Sequence, residues 1–476
     1  MSLKQKALSG IKWTFVDTFV VKGVTFIAML FLARWIGPDE FGLVGIMAIF
    51  IGIGTSLVDS GLSSSIIRTP DTNHLDYSTV FFMNFGMSIL IYGILFFSAP
   101  LIALYFEQES LTLLVRIYCL SFMISAFSAI QIAILTKEMR FKRLAMLNLP
   151  SVCLGVSVGL LLGYLDYGVW SVVFMFLSTQ FCYSILLWLT SKWKPKFEFS
   201  KNKLKHHLNF GYKLSISGLL DITYKNIYNI LIGKYYPLAV LGHFERAKQL
   251  NSYPSTILTS IIGKVTYPLL SKIQGDKNQI SAVYKQLLQI SFFITAPIML
   301  GGAAIAEPLF DILLGNEWIG AAKYFQILSI ASMLYPIHAF NINILKVYGR
   351  SDLFLKLEII KKILASICLI IGFQFGIMGI VWAVVVSSVL ALFVNTYFSS
   401  KLIDFSFGDQ IKSLLPSLFI SSLTFLLMFG VVFWMNGFSS FLQLIIASFV
   451  GGLFYVAINY LKKESVFFQV LSLMKR

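Results

Sequence analysis

From Leu414 to Met435 the chain runs without a single charged residue. Such a run is long enough to cross the hydrocarbon core of a bilayer, which takes about 20 apolar residues of helix. Inside lipid the backbone must satisfy its own hydrogen bonds, so only helices or a closed barrel can cross. Barrel strands alternate apolar and polar side chains, and this run does not alternate. The expected fold class is therefore all-α and integral to a membrane.

The same pattern recurs along the 476 residues, with apolar stretches separated by short polar breaks. There is room for about 14 transmembrane helices and for no soluble domain. A mean hydropathy of +0.80, with 57% apolar and 13% charged residues, agrees. The first stretch, Trp13 to Ile36, is too long for a cleaved signal peptide and is expected to remain as the first span. Cys119, Cys153, Cys182 and Cys368 fall inside apolar runs, at spacings that suit neither zinc nor a disulfide framework, and read as small core residues.

A net charge of +16 would suit a nucleic-acid partner if it lay on one soluble face. It is instead sorted by loop. Alternate loops carry most of the basic residues, among them Lys137, Arg140, Lys142, Arg143, Lys192, Lys194, Lys196, Lys201, Lys203 and Lys205, whereas the opposite loops hold only Lys234. This asymmetry satisfies the positive-inside rule and places both termini in the cytoplasm. Topology and anionic lipid explain the charge, and no nucleic acid is expected.

The longest soluble segment, 191–207, is basic and follows the sixth span. The expected organisation is an N-terminal six-helix lobe (1–190), this cytoplasmic linker (191–207), a second six-helix lobe (208–400), and two additional helices with a cytoplasmic tail (401–476). The hairpin Leu32 to Gly45 looks weakly like Leu231 to Phe244, each with a helix end, a Pro turn and a Gly-containing restart. That likeness reads as a parallel repeat of the two lobes.

An ordered set of short motifs extends over much of the chain. It includes Leu32-Ala33-Arg34, Gly37-Pro38-Asp39-Glu40-Phe41-Gly42, Asp59-Ser60-Gly61-Leu62, Gly168-Val169-Trp170, Ile232-Gly233-Lys234, Gly315-Asn316-Glu317-Trp318 and Gly349-Arg350-Ser351-Asp352. In this order the sequence resembles the polysaccharide and O-antigen (Wzx-like) flippases of the multidrug/oligosaccharidyl-lipid/polysaccharide exporter superfamily. The resemblance implies two six-helix lobes around a central cavity, alternating access, and location in the bacterial cytoplasmic membrane. It also implies the cargo, an undecaprenyl-pyrophosphate-linked oligosaccharide repeat unit flipped to the periplasmic leaflet for lipopolysaccharide, capsule or exopolysaccharide. The implied partners are that lipid-linked oligosaccharide, membrane lipid, and a polysaccharide polymerase with its chain-length machinery.

Charges at helix centres cost about 2.5 to 3.5 kcal/mol each on insertion scales, so they mark cavities or partners. Lys22 lies near the middle of the first span and is a candidate pyrophosphate contact; a salt bridge with Asp17 or another helix is the competing reading. Asp221 and Lys225 are spaced for an i,i+4 ion pair. The lobe repeat sets Asp221 against Lys22, so Asp17 and Asp221 are candidates for gating or ion coupling. Arg246 and Tyr253, seven residues apart, share a helical face and are candidates for a cavity wall. Pro254 should bend that helix.

No Walker loop, His-Glu-x-x-His helix or nucleophile elbow occurs. No enzymatic activity, cofactor or metal is expected. The alternatives are a cation-coupled drug exporter of the same superfamily and a membrane polysaccharide polymerase. A drug exporter would favour acidic cavity residues, and a polymerase a large periplasmic loop that this chain lacks.

Overall fold

The computed structural model describes residues 3–59 and 61–474, with side chains at all of these except 3–12, 16, 18, 213, 214, 256–265, 267–269, 351, 473 and 474. Every long element is helical. The first nine helices are α1 (Leu3–Ile36), α2 (Pro38–Asp59), α3 (Leu62–Arg68), α4 (His74–Phe106), α5 (Ser110–Tyr118), α6 (Ser121–Lys137), α7 (Phe141–Tyr164), α8 (Val169–Thr190) and α9 (Lys201–Tyr235). There follow α10 (Leu238–Lys272), α11 (Lys277–Ala304), α12 (Ala306–Leu314), α13 (Ile319–Met333), α14 (Tyr335–Val347) and α15 (Ser351–Phe373). The chain closes with α16 (Gly376–Ser400), α17 (Phe407–Trp434), α18 (Ser440–Leu461) and α19 (Ser465–Met474), and no β-strand occurs among the described residues.

Among the described residues, 11 segments are long and apolar enough to cross a membrane. Two of them join shorter helices: Ser110–Lys137 combines α5 with α6, and Asn316–Val347 combines α13 with α14. The expected count of fourteen is not reached by this measure. Helices α9, α10 and α15, of 35, 35 and 23 residues, have the length to cross. Their charges lower the hydropathy: α15 alone carries Asp352, Lys356, Glu358, Lys361 and Lys362.

Local chemistry sets the helix starts. Asn73 caps α4 in a reciprocal capping box with Asp76, and Ser406 does the same for α17 with Asp409. Each box satisfies backbone donors that a helix end leaves without partners. Asp276 caps α11 by accepting from Asn278 N and Gln279 N, both at 3.0 Å.

The chain divides into two compact units, 1–242 and 243–476. The division falls in the first turns of α10, so α9 belongs to the first unit, where it packs on α2, α3 and α4. Gly61, with φ of 64°, lets that approach happen: a Cβ there would stand 2.7 Å from the Gly211 carbonyl oxygen. Further along α9, Asn229 Nδ2 donates to the Gly45 carbonyl at 3.3 Å. At the end of α9, Lys234 pairs with Glu107 at 2.8 Å and holds that carboxyl below the usual carboxylate range.

The second unit is built on a core that includes Leu288, Phe292, Ile337, Phe340 and Leu414. A fully buried polar node sits within it. The Tyr284 hydroxyl donates to Asn341 Oδ1 at 3.0 Å, Ser399 Oγ donates to the same oxygen, and Asn341 Nδ2 reaches Gln410 Oε1 at 3.3 Å. The node ties α11, α14, α16 and α17 together. The short α19 buries Val466 and Phe467 against Phe293.

All four cysteines are free. Cys119 is buried as expected, but Cys153 is exposed. Helix α7 buries the face of Ser151, Val152, Gly155 and Gly159, and Cys153 points away from it.

Candidate functional site

In the first unit, α1 brings two charged residues into its apolar span. The Asp17 carboxylate accepts from Asn148 Nδ2 of α7 at 3.0 Å. Lys22 is exposed, and among the described residues it forms no ion pair with Asp17 or Asp221. The expected competitor, a Lys22 salt bridge to Asp17, is therefore absent from this structure. Five residues at about 100° each turn Lys22 roughly 140° away from Asp17 around the helix. Lys22 also lies nine positions beyond Trp13, about 14 Å along the axis at 1.5 Å per residue. At that depth its side chain needs water or an anionic partner.

On α9, Lys225 Nζ meets Asp221 Oδ2 at 2.6 Å, one turn apart, as the spacing predicts. Both are accessible, with 69% of the Lys225 side chain and 48% of the Asp221 side chain exposed. Ser217 and Thr223 of the same helix are exposed as well. A helix this polar is poorly suited to hydrocarbon. Because α9 packs on α2, Lys22, Asp221 and Lys225 belong to one compact unit.

In the second unit, α10 carries Arg246 in a buried position. Only 5% of the residue is exposed. Its Nη1 donates to Gln249 Oε1 at 2.6 Å, and its guanidinium lies 6.0 Å from the centre of the Trp318 ring. Tyr253, two turns further along, is half-buried. Trp318 itself is buried and belongs to the Gly315-Asn316-Glu317-Trp318 motif, whose Glu317 carbonyl lies 2.9 Å from His243 Nε2. The sequence displays that motif without showing that its indole would meet Arg246.

One polar cluster escapes the sequence reading entirely. Asp76, at 1% exposure, receives His207 Nε2 and Lys203 Nζ, each at 3.1 Å, and the Asn73 amide at 2.9 Å. The other ring nitrogen of His207 lies 2.8 Å from Ser65 Oγ. The spacing Asn73-x-x-Asp76 announces a helix cap. Nothing local announces that His207, next to several lysines, turns inward to meet it.

Residues 31–323, well over half of the chain, match the polysaccharide biosynthesis protein family. The chain belongs to that family. This polysaccharide biosynthesis protein is similar to the lipopolysaccharide biosynthesis protein WzxC of Escherichia coli K12, with 23% identity over 401 residues covering 83% of this chain and 82% of WzxC. It is also similar to the succinoglycan biosynthesis transport protein ExoT of Rhizobium meliloti 1021, with 24% identity covering 98% of this chain and 95% of ExoT. Among solved structures it shares the fold of the lipid II flippase MurJ in an inward closed conformation, with a TM-score of 0.73 at 15% identity, covering 94% of this chain and 99% of MurJ. The motif-based resemblance is borne out at the level of family and fold: the chain is an all-α, multi-pass membrane protein.

Proposed function

We propose that this polysaccharide biosynthesis protein flips an undecaprenyl-pyrophosphate-linked oligosaccharide repeat unit from the cytoplasmic to the periplasmic leaflet of a bacterial inner membrane. The movement is by alternating access, without an enzymatic step. The repeat of the sequence halves 1–190 and 208–400 provides its basis, with 401–476 as an addition. The observation that carries the reading is Lys22, a cation exposed deep within a span. An ammonium offers three rotatable donors to a pyrophosphate without demanding a fixed plane. Lys225 and the hydroxyls of α9 add polar surface in the same unit, and the Asp221 to Lys225 pair is the element with which a phosphate or a proton would compete. Arg246 and Tyr253 are assigned to the cavity wall that the second unit offers the cargo. The likeness to the lipopolysaccharide biosynthesis protein WzxC and the succinoglycan biosynthesis transport protein ExoT supports the pathway, and the sorting of basic loops supports cytoplasmic termini.

The test is surface polymer in a deletion strain complemented with wild type, Lys22→Ala or Lys22→Arg, together with an assay of lipid-linked repeat units in each leaflet. The flippase reading expects polymer to disappear on deletion while repeat units accumulate in the inner leaflet. Lys22→Ala should reproduce that defect and Lys22→Arg should largely relieve it. Normal polymer in a strain with no second flippase would move the drug-export reading to first place.

A further inference from the structure

Between α8 and α9, residues 191–200 form no helix, yet the segment is fastened along the first turns of α4. His74 Nε2 donates to the Lys194 carbonyl at 3.0 Å. The Lys196 amide donates to Ser78 Oγ at 3.3 Å and the Ser200 amide to Thr79 Oγ1 at 3.1 Å. The Trp193 ring packs 5.9 to 6.0 Å from the rings of His74, Tyr77 and Phe81. Just beyond, Lys203 and His207 close on Asp76. The segment is thus a strap of defined course.

What the strap turns outward alternates in type. Lys192, Lys194 and Lys196 are exposed, while Trp193 and Pro195 between them are half-buried. Phe197 is 100% exposed and Phe199 is 52% exposed, with the exposed Glu198 between them, so the lysines keep a charge excess of three to one. The Phe197 ring nevertheless stacks on Phe82 at 5.5 Å and 25°. Phe82 lies eight residues into α4, about 12 Å along a helix that crosses the membrane. With 33 residues, α4 is longer than the hydrocarbon core requires, so that level falls near the boundary between headgroups and acyl chains.

We propose that the strap is a binding surface for anionic phospholipid. Lys192, Lys194 and Lys196 hold lipid phosphates, Phe197 and Phe199 enter the acyl layer, and the backbone bonds to α4 keep the two rows in register. Basic clusters next to a membrane span gain from an anionic leaflet residue by residue, and phenyl rings on the same surface bury at the headgroup/acyl boundary. The inference does not depend on the cargo.

The full chain, placed in nanodiscs of mixed phosphatidylcholine and phosphatidylglycerol, would be released into detergent and its retained lipids counted by native mass spectrometry. Enrichment of phosphatidylglycerol by roughly threefold over the input ratio is expected, falling as salt screens the contact. Lys192→Gln, Lys194→Gln and Lys196→Gln together should abolish it, and the three corresponding Arg substitutions should preserve it. A fluorophore on Phe197→Cys should be quenched by nitroxide on the lipid chains and not by aqueous iodide. Equal enrichment in the Gln variant, loss in the Arg variant, or quenching by iodide alone would overturn the proposal. Displacement of the lipid by millimolar pyrophosphate would overturn it too, assigning the lysines to a soluble phosphate ligand.

Discussion

Replacing Asp76 by Asn tests whether the cluster at the start of α9 holds that helix to the first unit. The amide keeps the shape of the side chain and one acceptor, but removes the charge. Lys203, whose side chain is 37% exposed, can turn to water, so its share falls in the range of accessible ion pairs, at most about 1 kcal/mol. His207 is wholly buried and has no such recourse; a hydrogen bond to a charged group in that setting contributes about 1.5 to 3 kcal/mol. Asp76→Asn should therefore destabilise the first unit by about 3 kcal/mol, the sum of the two contributions. Unfolding in mixed micelles of dodecyl sulfate and mild detergent, followed by tryptophan fluorescence, would measure it. A double-mutant cycle with His207→Gln should return a coupling of about 1 to 3 kcal/mol. Asp352→Asn is the control, since its pair with Arg350 is exposed, and should leave the midpoint in place. A loss below about 1 kcal/mol for Asp76→Asn, or no coupling, would mean that water reaches the cluster and that the burial argument is wrong.

Three further outcomes are expected. Asp221→Asn should change transport or its pH dependence, since it frees Lys225 from its partner at 2.6 Å; an unchanged pH profile in a flux assay would remove Asp221 from any coupling role. Gly155→Val should destabilise by about 1 to 3 kcal/mol through overpacking, because a Cβ there would lie 1.9 Å from Thr179 Oγ1 and 2.6 Å from the Met175 carbonyl oxygen. Gly86→Ala, with nothing within 4 Å of its Cβ, should not, and micelle unfolding separates the two. Tyr284→Phe should cost on the order of 1 kcal/mol by the same measurement, removing one donor from a buried node whose other members remain bonded.

The fold class was legible because an apolar window carries its own evidence: Leu414 to Met435 can only be a buried or lipid-facing helix. The pair Asp221 and Lys225 was legible for a similar reason, since both partners lie within one turn. Contacts across the chain were not. Asp17 pairs with Asn148, 131 residues away, and no periodicity selects that partner over Lys22, which is five positions along. The spacing of Arg246 to Tyr253 defines a helical face but not what packs near it. The Trp318 ring, 6.0 Å from the Arg246 guanidinium, lies in a motif that carried only the family resemblance. The packing of α9 against α2, α3 and α4 was not legible for a further reason. A basic linker is conspicuous in sequence, while the fit of Gly61 against Gly211 is not.

The bond between His207 and Asp76 also sets a schedule. These residues are 131 apart in the chain, so at 5 to 20 residues per second Asp76 emerges from the ribosome roughly 7 to 26 s before its partner. During that interval the first six spans can enter the membrane, but Asp76 and Ser65 have yet to meet the imidazole that joins them. Lys203 arrives only a few residues earlier, so the carboxylate must wait in hydrated or chaperoned surroundings at the membrane edge. Assembly of the first unit is thus completed by a late event, the arrival of α9, and a nascent chain stalled before residue 207 would carry the first six spans around an unfinished polar seam.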